Sequence, residues 1–158
     1  MAYLIDGNNL LGRIAPHELR ERDGRSGLVG RLLAFQKVTR ARIHLVFDGN
    51  PEPDRTSITV NPKFTVFYPG AGESADDVIH DAILALADRK RFFVVSSDRR
   101  IRDFAKANGV ASVTSDDFAR ELKTALKERK KEKEMEKWVD SPSPLEIDLW
   151  DEVFKAKP

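Results

Sequence analysis

An α/β fold with a mainly parallel sheet follows from three features of these 158 residues. Short runs of β-branched and aromatic residues recur without polar alternation, as strands buried on both faces require. Segments with apolar residues at helical spacing separate them. Four acid-bearing patches then stand where strands would end: Ile5-Asp6-Gly7-Asn8-Asn9, Val46-Phe47-Asp48-Gly49, Glu73-Ser74-Ala75-Asp76-Asp77 and Val95-Ser96-Ser97-Asp98. Open parallel sheets hold ligands outside the carboxyl ends of their strands, so these distant patches are expected to meet at one edge.

Ala2 to Ile5 is the first strand, and Gly7 is expected to let the chain turn sharply after Asp6. Leu28, Leu32, Leu33, Phe35 and Val38 mark a helix, and Ile43 to Phe47 is the second strand, ending at Asp48. Gly49 to Lys63 holds Pro51, Pro53 and Pro62 and reads as a loop or irregular crossover. Phe64 to Phe67 is the third strand. Beyond the Pro69-Gly70-Ala71-Gly72 loop, Val78, Ile79, Ile83, Leu86 and Ala87 recur at helical spacing. Phe92 to Val95 is the fourth strand, Ile101, Phe104 and Ala105 mark a helix, and Val110 to Val113 is the fifth strand. Ser115 suits the N-cap of a helix carrying Phe118, Leu122, Ala125 and Leu126 on one side. About five strands alternating with helices imply right-handed crossovers and a three-layer α/β/α domain over residues 1–126.

Residues 127–158 form a helical extension of different character. From Lys127 to Lys137 opposite charges sit at helical neighbour spacing, which suits a solvated spacer helix. Ser143-Pro144-Leu145-Glu146 then combines an N-cap, a proline at the first helical position and a capping-box acid. It opens a helix over 144–156 with Leu145, Leu149, Trp150, Val153 and Phe154 on one stripe. That stripe calls for a partner surface: this domain, a second copy or another protein.

Composition narrows the chemistry. The chain has no cysteine, which excludes disulfides, thiolate nucleophiles and Cys-based zinc sites. His17, His44 and His80 are scattered, which argues against histidine-pair or His-rich metal chemistry. Asp6 comes too early for a signal peptide, and no apolar run approaches a membrane span. A cytoplasmic protein with no membrane attachment is expected. The net charge of +1 decides nothing about polyanions, but Arg13, Arg20, Arg22, Arg25, Arg31, Lys37, Arg40 and Arg42 outnumber the acids around them and could follow a phosphate backbone.

Clustered carboxylates repel one another unless a cation sits among them, and an all-oxygen set suits hard ions such as Mg²⁺ or Mn²⁺. Such an ion can polarise a phosphoryl oxygen and activate water without a histidine base. Asp76 and Asp77 are the candidate ligands of the third patch, with Glu73 less secure. Ser74-Ala75-Asp76-Asp77 equally reads as a capping box. Asp6, Asp48 and Asp98 each end a strand, where a cap or turn role is the alternative. Asn9 could fix an acid or a water. Arg99 and Arg100, at the start of a helix, could steady a phosphate. A receiver domain fits poorly, because the strand ending at Phe67 lacks an acid and the one ending at Val113 lacks a following Lys. No Gly-x-x-x-x-Gly-Lys-Ser/Thr run is present either.

In this order the four patches resemble the NYN domain of the YacP-like ribonucleases, relatives of the PIN nucleases, over roughly Met1 to Leu126. The resemblance implies a PIN-like fold and metal-dependent RNA cleavage, internal in the strand and leaving a 5′-phosphate, with a role in RNA decay. It implies Mg²⁺ or Mn²⁺ at Asp6, Asp76, Asp77 and Asp98, polar support from Asn9 and Ser97, and a less general position at Asp48. Arg13, Arg99 and Arg100 join Ser97 as candidate RNA contacts. Asn8 stands where an aromatic residue is often found in such domains. The competing expectation is an RNA-binding or adaptor module whose acidic site is inactive or structural.

Overall fold

The computed structural model describes residues 1–139 apart from 22, 51 and 53. The helix expected over 144–156 lies outside the described residues, as do Pro51 and Pro53. The order is β1 (Ala2–Asp6), α1 (Gly7–Ile14), α2 (Gly24–Thr39), β2 (Arg42–Val46), β3 (Ser57–Asn61), β4 (Phe64–Phe67), α3 (Ala75–Ala85), β5 (Phe92–Val95), α4 (Arg99–Ala107), β6 (Ala111–Val113) and α5 (Ser115–Val139). Short 3-10 turns occupy Pro16–Arg20 and Arg89–Arg91.

The sheet runs β3-β4-β2-β1-β5-β6, parallel throughout except for β3 against β4. Buried β1 alternates between two cores, as the period of two along a strand demands. Tyr3 and Ile5 join Leu28, Leu32, Phe35 and Phe118 under α1, α2 and α5. Leu4 joins Ile79, Ile83, Val94, Ile101 and Ala105 under α3 and α4. The first core centres on rings: Tyr3, Phe35 and Phe118 lie pairwise 5.1–5.7 Å apart, at the tilted to edge-on angles aromatic pairs prefer. The Tyr3 hydroxyl donates to Glu121 on α5 at 3.2 Å. Burial and that carboxylate push the phenol up to about 12.

Three local expectations change. Where a structureless crossover was expected, Ser57–Asn61 pairs with β4 as a sixth strand, with a register shift between Thr59 and Asn61. It is an exposed edge strand, so it has no buried apolar run to announce it. Gly7 does not turn the chain through a left-handed conformation; it opens α1, and a Cβ there would stand 2.7 Å from the Phe47 ring and 2.8 Å from the Val46 carbonyl. Thr114, not Ser115, caps α5: its hydroxyl accepts the Asp117 N–H at 3.1 Å. That helix passes position 126 without a break. No helix among the described residues is long and apolar enough to cross a membrane.

Candidate functional site

The helix following β1 packs on one face of the sheet and the helix following β5 on the other. The carboxyl ends of these neighbouring strands therefore flank the switch-point crevice of the sheet. Asp6 ends β1, and Ser96-Ser97-Asp98 follows β5.

Asp6 is 9% exposed. Its Oδ2 accepts the Ser96 hydroxyl at 3.0 Å, and the Ser96 oxygen in turn accepts the Asp98 N–H at 3.0 Å. Ser96 is itself fully buried, so one hydroxyl fixes the Asp6 carboxyl and the backbone of Asp98. Burial raises the Asp6 carboxyl from 3.8 to about 6. The Ser96 hydroxyl and the Asn9 backbone N–H oppose that rise, whereas the charges of Asp76 and Asp98 add to it. Those two carboxylates are thus close enough to Asp6 to act on it.

Asn9 ties three elements together. Its Oδ1 accepts the Ser97 N–H at 2.9 Å and the Ser115 hydroxyl at 2.6 Å. The Ser97 hydroxyl closes the loop by accepting the Ser115 N–H at 3.1 Å. α1, the segment after β5 and the start of α5 are locked behind the acids as a result. Arg13, one turn beyond Asn9, sits 3.6 Å from Asp116 beside Ser115, with both side chains about half exposed.

The third and fourth acidic positions behave differently. Asp77 completes the capping box of α3: its Oδ2 accepts the Ser74 N–H at 3.0 Å, and its own N–H donates to Ser74 Oγ at 3.2 Å. Those bonds hold the Asp77 carboxyl below the usual carboxylate range. The cap, rather than the shared pocket, takes that oxygen. Asp76, one residue earlier, is the member of the pair that acts on Asp6. Glu73 is exposed just before the cap. Asp98 spends its Oδ1 on capping α4, accepting the Arg100 N–H at 2.9 Å. Arg99 and Arg100 begin that helix, exposed, with Arg99 3.8 Å from Asp103.

Asp48 is exposed beyond β2 and is held by its backbone. Its N–H donates to Asn8 Oδ1 at 2.9 Å, while the Arg25 guanidinium donates to the Asp48 and Gly49 carbonyls and lies 4.9 Å from the centre of the Phe47 ring. Ser96, Ser115, Asn8 and Arg25 thus take positioning roles that sequence reasoning did not assign. A serine ending an all-apolar strand signals Ser96, but nothing local signals a contact spanning more than a hundred residues such as Asn9 to Ser115.

Every donor at this edge is a hard oxygen, which fits Mg²⁺ or Mn²⁺. Among the described residues no three acidic or histidine side chains are drawn into a ready-made metal cage.

Two crystal structures of Rae1 (YacP) from Bacillus subtilis share the fold. One, of a tryptophan-to-leucine variant, has a TM-score of 0.70 at 22% identity, covering 94% of this chain and 89% of that one. The other has a TM-score of 0.64 at 24% identity, covering 98% and 91%. No curated protein matches the sequence. The YacP-like NYN domain family model matches residues 3–156. With that match over nearly its whole length, the chain belongs to the YacP-like NYN domain family.

Proposed function

We propose that this protein is a metal-dependent ribonuclease that hydrolyses internal phosphodiester bonds of RNA at the Asp6–Asp98 crevice. The observation that carries the reading is the Asp6 carboxyl, buried at the end of β1, tied through Ser96 to the turn bearing Asp98, and raised to about 6 chiefly by burial, with the charges of Asp76 and Asp98 adding to it. A buried carboxyl raised in this way, held beside a second acid-bearing turn at a sheet's switch point, is suited to a cation or to proton exchange. Family membership supports the same reading.

Asp6, Asp76 and Asp98 would hold Mg²⁺ or Mn²⁺, with Asp48 and Asp77 at the rim. When bound, the ion supplies charge to neutralise the phosphoryl oxygens and acidify water. The chain's own part is to hold that geometry. Ser96 fixes the Asp6 carboxylate and the turn bearing Asp98, and Asn9, Ser97 and Ser115 brace the backbone behind them. Arg13, Arg99 and Arg100 at the margin are suited to flanking phosphates, with Arg13 and Arg99 exchanging modest exposed ion pairs for charge-assisted contacts.

Purified protein with Mg²⁺ or Mn²⁺ is expected to cut single-stranded and structured RNA internally. Asp6→Asn or Asp98→Asn should lower the rate by roughly a hundredfold or more, and chelation should abolish it. Cleavage that survives chelation and both substitutions would sink the proposal, and DNA cut equally well would remove the restriction to RNA. The absence of a ready-made cage among the described residues favours a second reading, an RNA-binding or adaptor module with a structural acidic edge. Metal-independent RNA binding without cleavage would establish it.

A further inference from the structure

A groove on the face opposite α3 and α4 is lined by residues of α1, α2 and α5. Its larger part, about 590 Å³, has Ile14, Leu122 and Leu126 among its apolar walls and Lys123, Lys127 and Lys130 among its cations. Leu126 and Lys130 also line a second cavity of about 360 Å³ farther along α5, where Arg129, Lys133 and Lys137 outnumber the one acid, Glu134, and keep the margin basic. From 119 to 137 the α5 contributors recur every three or four residues, so the groove follows one helix face. Arg13, Arg31 and Arg120 on its border have carboxylate neighbours in Asp116, Glu18 and Asp117. Among the described residues no carboxylate pairs with Lys123, Lys127 or Lys130.

We propose that residues 145–154 of this same chain occupy the groove, as an amphipathic helix running back along α5. The segment has complementary chemistry: Glu146, Asp148, Asp151 and Glu152 with no Lys or Arg, beside the Leu145, Leu149, Trp150, Val153 and Phe154 stripe. It lies outside the described residues, but its tether is set by the sequence. Five residues, 140–144, connect it to α5 and span at most about 17 Å. Pro142 and Pro144 oppose a straight continuation of the helix. Ten helical residues add about 15 Å, while Val139 and Leu126 lie about 20 Å apart along α5. A reversed segment therefore reaches the shared floor at Leu126. The family match continuing to residue 156 places this segment within the domain pattern rather than beyond it. Apolar anchors in a groove with cations along the rim are the usual terms of helix-in-groove recognition.

Fluorotryptophan incorporated into the full chain gives two fluorine resonances, Trp138 and Trp150, assigned with Trp150→Phe. The Trp150 signal is expected away from its random-coil position, independent of protein concentration. Lys127→Glu with Lys130→Glu should move it to the random-coil position, and adding Asp151→Lys with Glu152→Lys should bring it back at least halfway. These exposed charge reversals leave both cores intact, which circular dichroism checks. A random-coil Trp150 in the parent chain, or a signal unmoved by Lys127→Glu with Lys130→Glu, overturns the proposal. A displacement that grows with concentration, with a doubled sedimentation mass, overturns it in favour of a second copy.

Discussion

A carboxyl group with 9% of its surface exposed is costly to ionise, and Asp6 shows the cost in a value raised from 3.8 to about 6. The sign follows from linkage. Between about pH 4 and pH 6 the unfolded chain has released this proton while the folded chain still holds it, so folding stability falls as pH rises through that window. Above it the loss is constant and amounts to at most about 3 kcal/mol. Asp6→Asn keeps the shape and an acceptor for the Ser96 hydroxyl but removes the charge. Urea unfolding should therefore find this variant more stable than the parent at pH 7, by about 1–3 kcal/mol, and indistinguishable from it near pH 3.5. A variant less stable at pH 7 would show that the carboxylate is stabilised by its surroundings. Ser96→Ala acts on the same group in the opposite sense, because it removes the hydroxyl that lowers the Asp6 value. Its prediction is an Asp6 titration, followed by NMR of the carboxyl carbon, displaced upward from the parent's.

The elements hold these residues through contacts that differ greatly in how visible they are from sequence. β1, β2, β4 and β5 fall on the expected runs because interior strands covered on both faces are mostly apolar, and the short edge strand β6 falls on the Val110 to Val113 run although it is only partly buried. The acids at their ends were legible for the same reason, since the polar residue closing each run marks the sheet edge. β3 escaped notice because an exposed edge strand needs no such run, although Ser57-Ile58-Thr59-Val60 alternates with the period of a strand. Asp77 shows a different limit: its spacing suits both a cap and a ligand, and only coordinates show its oxygen accepting the Ser74 amide. Least legible was the lock joining Asn9, Ser97 and Ser115, which depends on three elements meeting in space. Asn9→Ala leaves the Ser97 amide and the buried Ser115 hydroxyl without their acceptor, at a cost of roughly 2–4 kcal/mol. Ser115→Ala removes one donor and should cost about 1 kcal/mol. Thermal unfolding of both variants checks the order; equal losses would mean that Asn9 acts through Ser115 alone.

For the whole molecule the decisive fact is that a buried carboxyl, Asp6, stands at the switch point of the sheet, with the charges of Asp76 and Asp98 adding to the cost of ionising it. The fold tolerates this because two hydrophobic cores, one on each side of the sheet, fix the strand ends regardless of what the edge carries. A ligand that binds only the folded chain adds about 2.7 kcal/mol when present at a hundred times its dissociation constant. At this size each kcal/mol raises the melting temperature by about 2–4 °C. Mn²⁺ at that excess should thus raise the melting temperature by about 5–10 °C at pH 7. The rise should shrink at pH 5, where Asp6 retains its proton and binding must displace it. Asp6→Asn and Asp98→Asn should lose most of the rise, whereas Asp77→Asn should keep it on a lower baseline, because that carboxylate serves the α3 cap. Differential scanning fluorimetry of the four proteins with and without the ion separates a cation centre from a merely acidic edge. An equal rise in all four would place the ion elsewhere on the surface, and a rise lost only in Asp77→Asn would return the ligand role from Asp6 to the cap.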